Sequence, residues 1–131
     1  MRPVEYLDLE DLFELARTLF GDPPPMRDIG LLGSAAARPQ ATAFGQDAYP
    51  DLLTKAAALL QSIVNNHALV DGDKRLGWLA TAVFLELNGI KASKICNDDV
   101  YELVIWVASM NASLDDITTR LAGLVPGRRR R

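Results

Sequence analysis

The chain has 131 residues, 49% of them hydrophobic, and a formal net charge of −3 at neutral pH, which fits one domain with a core that removes about two thirds of the unfolded surface from water. No run of about 18 apolar residues is present, so no membrane-spanning helix is expected, and the opening Met1-Arg2-Pro3-Val4-Glu5 lacks the apolar stretch of a secretory signal. Four of the positive charges lie in Arg128–Arg131, so residues 1–127 carry −7 and direct nucleic-acid binding is not expected; the lone Cys96 cannot form an internal disulfide, is expected as a small buried hydrophobe, and fits a reducing cytoplasm.

From Asp8 to about Phe20 the residues Leu9, Leu12, Phe13, Leu15, Ala16, Leu19 and Phe20 recur at helical spacing, with Asp8 as N-cap and Gly21 as the stop. Pro23-Pro24-Pro25 then enforces an extended connector. Asp28 caps a second, shorter helix through Leu31, Leu32, Ala35 and Ala36, ended by Arg38-Pro39-Gln40. Residues 39–49 show no helical period and read as an exposed loop or short hairpin, either a plain connector or a place where an open strand edge pairs with an extended partner segment.

Asp51 opens the longest apolar pattern, Leu52 to Val64, which is nearly apolar all round and therefore reads as a central buried helix. It fails at Asn65-Asn66-His67. A further helix starts near Asp73 or Lys74 and stops at Asn88-Gly89. Ile90–Ile95 reads as short and extended. Asn97 is the expected N-cap of a helix through Trp106, and Ser113 with Asp116 forms a capping-box pattern before a last helix through Leu121. Trp78 and Trp106 read as packing residues. The fold class is all-α: about six helices and one irregular or hairpin segment, in a single domain over residues 1–127, followed by a basic, solvated tail at 128–131.

The densest chemistry lies in His67-Ala68-Leu69-Val70-Asp71-Gly72-Asp73-Lys74-Arg75, which contains the only histidine. The first amides of a helix lack internal partners and sit at the positive end of its dipole, which makes an anion site. Gly72 permits close approach, Lys74 and Arg75 add charge, Asp71 offers a hard oxygen ligand for Mg²⁺, and His67 can move a proton at neutral pH. These parts suit phosphoryl or nucleotidyl transfer to a hydroxyl. A histidine at a helix end, an Asp-Gly turn and a solvated Lys-Arg pair are also common structural features, and the residue types alone leave both readings open. One His and one Cys rule against a zinc site, and the phosphate-loop and nucleophile-elbow motifs are absent.

The segment resembles the HxFx[D/N][A/G]NKR signature of the Doc branch of the Fic/Doc family. Asp28–Leu32, Ala37–Gln40, Phe44-Gly45, Tyr49-Pro50, Lys55–Leu60 and Asn88-Gly89 extend the resemblance over roughly residues 5–120. It implies a Fic-type helical bundle and the toxin half of a toxin–antitoxin pair. Doc-type proteins transfer the γ-phosphate of ATP to a threonine of translation elongation factor Tu and are neutralised by a Phd-type antitoxin that folds a helical segment into a groove beside the site. Carried onto this sequence, the resemblance makes His67 the base and Asp71 the Mg²⁺ ligand. Gly72, Asp73, Lys74 and Arg75 line the phosphates, and Arg38, Gln40 and Phe44 belong to a flap that aligns the target. Lys74 stands where AMP-transferring relatives carry glycine, which favours phosphate transfer, with AMP transfer as the alternative. The in-chain inhibitory motif [ST]xxxE[GN] is absent, which points to inhibition in trans. Leu69 replaces the motif's Phe and keeps an apolar anchor. Asp73 replaces its Asn and removes an amide donor; it is tolerated, serves as a second metal ligand, or leaves a weakened nucleotide- or antitoxin-binding protein.

Overall fold

The computed structural model describes residues 3–127 and forms six α-helices with one two-stranded hairpin. The tail expected at 128–131 lies outside the described residues. In chain order the elements are α1 (Leu9–Phe20), α2 (Ile29–Ala37), a 3₁₀ turn (Arg38–Gln40), β1 (Thr42–Ala43), β2 (Gln46–Asp47), α3 (Leu52–Asn66), α4 (Asp73–Leu87), a second 3₁₀ turn (Ala92–Lys94), α5 (Asn97–Ala108) and α6 (Leu114–Leu124). The helical class and the helix number agree with the reading of the sequence.

The axis is α3. Its buried positions include Leu53, Ala56, Ala57, Ala58, Leu59, Leu60, Ile63 and Val64, which leaves almost no apolar residue for solvent. Helices α2, α4, α5 and α6 all pack on it, and α1 closes over α2 and α4. The α3–α4 crossing is tight because Gly77 lies there: a Cβ at that position would come within 2.7 Å of a Val64 methyl. Helix ends follow the local chemistry. Asp8 accepts the Asp11 N–H and Asp11 reaches back to the Asp8 N–H, a full capping box. Asp28 accepts from Gly30 and Leu31, and Ser113 from Asp116.

Three expectations are corrected. Ile90–Ile95 is not extended. The Ile90 N–H bonds back to the Leu85 carbonyl, Ile90, Ala92 and Ile95 turn inward, and the chain between them tightens into the second 3₁₀ turn. Asn97 is the first residue of α5 rather than its cap; Cys96 holds that position without a side-chain bond. For the same reason Cys96 is exposed instead of buried, since a cap position before an outward-facing first turn points to solvent.

Residues 42–47 form the hairpin, with Thr42 opposite Asp47 and Ala43 opposite Gln46. Its two-residue turn, Phe44 (φ 55°) and Gly45 (φ 78°), has positive φ at both positions, the geometry of a type I′ turn. A latch ties the hairpin to the bundle. Lys55, only 1% exposed, reaches out of α3 to the Asp47 carboxylate at 3.0 Å and the Pro39 carbonyl at 3.3 Å. Burial alone would lower its pKa, but the Tyr6 side chain and Asp47 reverse this and raise it, so the ammonium is the stable form.

Candidate active site

The site is the α3–α4 junction, and a short pairing across it fixes its shape. Pro25–Asp28 runs antiparallel to Ala68–Val70: the Arg27 and Asp28 N–H groups both donate to the Ala68 carbonyl (2.8 and 2.9 Å), and the Val70 N–H donates to the Pro25 carbonyl (2.8 Å). Extended backbone alternates its side chains. Leu69 is accordingly buried in the core while Val70 is exposed. The triple proline supplies the extended partner strand by denying helix.

His67 ends α3 in the left-handed region (φ 58°, ψ 44°), a conformation that costs about 1–3 kcal/mol outside glycine. The Arg27 guanidinium donates to its carbonyl and helps to hold it there. The result is an imidazole 63% exposed, with Nδ1 lying 3.8 Å from Asp73 Oδ2. The Asp73 side chain is only 11% exposed, and its Oδ1 accepts the Leu69 N–H at 3.1 Å. Burial raises the Asp73 pKa, opposed by the Leu69 bond and by the charges of His67, Arg27 and Lys74.

Helix α4 then starts with Gly72 at its N-cap (φ 95°) and no side-chain cap. Its first-turn amides are therefore open toward any anion that arrives, as helix N-termini are. Asp71 is exposed, with Oδ1 accepting the Gly72 N–H at 2.9 Å. Lys74 and Arg75 are exposed on the first turn. Asp71, Gly72 and Arg75 line a cavity of about 460 Å³ together with Phe20, Pro23 and Pro25. A Cβ on Gly72 would lie 2.3 Å from Phe20 Cζ, so that ring forms the floor under the turn. The Arg75 guanidinium sits 5.1 Å from the centroid of the same ring.

The donor set fits the groups the chemistry calls for. Among the described residues no three or more His, Cys, Asp or Glu side chains gather as a metal cage. A single exposed carboxylate at the cavity mouth suits Mg²⁺, which takes most of its octahedral shell from phosphates and water.

The three flap residues separate. Phe44 is fully exposed at the hairpin tip. Gln40 is exposed at the end of its turn. Arg38 is directed inward rather than toward a partner: Nε donates to Tyr49 Oη (3.2 Å), one terminal nitrogen donates to Gln61 Oε1 (2.8 Å) and Ser62 Oγ (3.1 Å), and the guanidinium stacks on Tyr49 at 5.5 Å. Gln61 and Ser62 are neighbours late in α3, 23 and 24 residues along the chain, and Tyr49 precedes that helix, so the pattern of residues around Arg38 does not reveal them. Phe20 and Arg27 escaped the sequence reading too. Phe20 is one apolar residue in a helical pattern, and only the fold brings it beneath Gly72. The Pro25–Asp28 pairing has a visible signal in the proline run alone, since Leu69 and Val70 are both apolar and only the fold separates them into buried and exposed.

On the other side of Lys74 and Arg75 lies an apolar groove of about 480 Å³, lined by Leu19, Trp78, Val100, Tyr101, Val104 and Ile105 among others. Trp78 and Trp106 are both half-buried, Trp106 beneath the Arg120 guanidinium at 4.8 Å.

A family model described as Fic/DOC family matches residues 6–85, which contain the whole His67–Arg75 segment, the hairpin and Phe20. Over 120 residues the chain is 50% identical to Toxin Doc of Mycolicibacterium smegmatis, a match that spans 91% of this chain and 92% of that protein.

Proposed function

The chain belongs to the Fic/DOC family, and on that premise we propose that it is the toxin of a toxin–antitoxin pair, a cytoplasmic phosphotransferase that moves the γ-phosphate of ATP to a threonine hydroxyl of translation elongation factor Tu. The observation that carries this reading is the α3–α4 junction, where an exposed imidazole stands at the end of one helix and an uncapped N-terminus with Gly72, Lys74 and Arg75 opens the next. A base, an anion cradle and a single hard-metal ligand are the parts that phosphoryl transfer needs from a protein, since positioning and charge supply most of the rate.

In this mechanism the α4 amides, Lys74 and Arg75 bind and orient the phosphates. His67 takes the proton of the acceptor hydroxyl through Nε2, the nitrogen opposite the edge that faces Asp73. The acceptor oxygen bonds to the γ-phosphorus, the bond to the bridging oxygen breaks, and ADP leaves. Asp71 would hold Mg²⁺, which when bound neutralises charge developing on the phosphates. Phe44, exposed on the hairpin, would engage the target chain. Asp73 bears on whether the site works. Its oxygens are engaged by the Leu69 amide and the His67 edge, which favours a structural role over a charge aimed at phosphate and so supports turnover.

The test is incubation of the purified protein with elongation factor Tu and ATP labelled at the γ or the α phosphate. Transfer from γ, abolished by His67→Ala, is expected. Transfer from α alone selects AMP transfer, the second reading, which Lys74 disfavours. Transfer of neither label by a folded protein leaves only nucleotide or antitoxin binding.

The partner that silences such a toxin is an antitoxin of the Phd type. The apolar groove beside Lys74 and Arg75 supports this reading, since an amphipathic helix carrying an acidic residue complements both its walls and its rim. None of the helices among the described residues is long and apolar enough to cross a membrane, and the acidic body disfavours direct nucleic-acid contact.

A further inference from the structure

We infer that Phe20 is a positioning residue for the anion site, holding the Arg75 guanidinium at the cavity mouth through its ring face while its edge sets the floor under Gly72. The inference rests on the reading of Gly72, Lys74 and Arg75 as an anion cradle, and goes beyond it by naming what keeps Arg75 in place.

Three observations converge on this ring. It comes from α1, an element remote in sequence, and yet touches two members of the cradle. The Gly72 α-carbon lies so close that a Cβ would meet Phe20 Cζ at 2.3 Å and Cε1 at 2.7 Å. The Arg75 guanidinium carbon is 5.1 Å from the ring centroid, within the range of a cation–π contact. Arg75 also has no carboxylate partner within ion-pair distance among the described residues.

The last point explains why an aromatic residue suits the position. An exposed arginine side chain samples many rotamers, and each must be given up when a phosphate binds. A carboxylate could restrict those rotamers, but it would occupy N–H donors and cancel the charge the phosphate needs. A ring face restricts the guanidinium and leaves all five in-plane N–H donors and the full charge available. An aliphatic side chain offers no π face to attract the guanidinium. The same ring makes glycine necessary at position 72, so the backbone and the guanidinium of the cradle share one reference point.

The experiment uses the full chain and three substitutions. Calorimetric titration with MgATP gives affinity, and labelled transfer to the acceptor protein gives KM and kcat. Phe20→Leu is expected to raise the MgATP dissociation constant and KM about three- to tenfold, with kcat at saturating ATP and the melting temperature little changed. Phe20→Tyr is expected to restore both to within about twofold of the parent. In an Arg75→Ala background the Phe20→Leu effect should disappear, since nothing remains to be positioned. A folded Phe20→Leu protein that binds MgATP as the parent does overturns the inference, as does a loss of the same size in the Arg75→Ala background. A nucleotide-free reading separates this inference from the proposed function: a ring over the guanidinium shifts the Arg75 Nε–H proton resonance upfield, and Phe20→Leu should move it back. A parent that binds no MgATP removes the cradle itself, whereas an Arg75 resonance indifferent to Phe20→Leu overturns the stack alone.

Discussion

Gly72→Ala isolates the physical demand that the turn places on its backbone. Two costs add. Position 72 has φ 95°, and a Cβ in the left-handed region costs about 1–2 kcal/mol. The new methyl would also lie 2.3 Å from Phe20 Cζ and 2.7 Å from Cε1, an overpacked contact worth about 1–3 kcal/mol once the ring shifts. The sum is about 2–5 kcal/mol against the roughly 5–15 kcal/mol that holds a domain of this kind together. At this chain length each kcal/mol moves the melting point by roughly 3–5 °C, so a fall on the order of 10 °C is expected in a thermal melt followed by circular dichroism. The two costs separate in a double variant. Phe20→Leu removes the ring atoms that the methyl would meet but leaves φ untouched, so the pair should be less destabilising than the sum of the singles by about 1–3 kcal/mol, the overpacking share. Strict additivity, or a Gly72→Ala protein that melts with the parent, would refute the reasoning.

Asp73→Asn tests the buried carboxylate. Burial holds its folded-state pKa above the ordinary range, so the folded chain binds that proton more tightly than the unfolded one, and stability falls as pH rises through that range, with the full penalty present at neutral pH. Asparagine keeps an acceptor for the Leu69 N–H without charge; the variant should melt higher than the parent at pH 7, with the gap closing below the carboxylate range, and a gap independent of pH contradicts this. Arg38→Ala should cost about 2–4 kcal/mol in urea unfolding, because charge-assisted bonds to Gln61 and Ser62 are lost from a partly buried site; a change within about 0.5 kcal/mol would return Arg38 to the flap surface. Phe44→Asn creates the Asn-Gly pair that type I′ turns favour, so stability should hold or rise. If Phe44 is buried against the target, the KM for the protein acceptor should rise about tenfold or more, and an unchanged KM removes Phe44 from target binding.

The bundle was legible because its signals are local. A helix apolar on nearly every face can only be central, and α3 is; caps such as Asp8, Asp28 and Ser113 bond as their side chains predict. Where the local signal was ambiguous, packing decided. Ile90 and Ile95 are compatible with a strand or a tight turn, and the Leu85 carbonyl waiting at the end of α4 selects the turn. Cys96 illustrates the same limit: its composition favours burial, but the helix start fixes which way it faces.

The candidate site divides along the same line. His67, Asp71, Gly72, Lys74 and Arg75 are contiguous, so their convergence needs no tertiary information beyond one helix ending and another beginning. What the sequence conceals is the support. Arg27 on the His67 carbonyl, Phe20 beneath Gly72, and Lys55 holding the hairpin through Asp47 are contacts between segments that only the completed fold brings together. Asp73 stands between the two groups. As a letter in a motif it reads as a charge misplaced beside phosphate. In the fold one oxygen is tied to the Leu69 amide and the other faces His67, so the residue is better understood through the backbone it braces than through the anion it would repel.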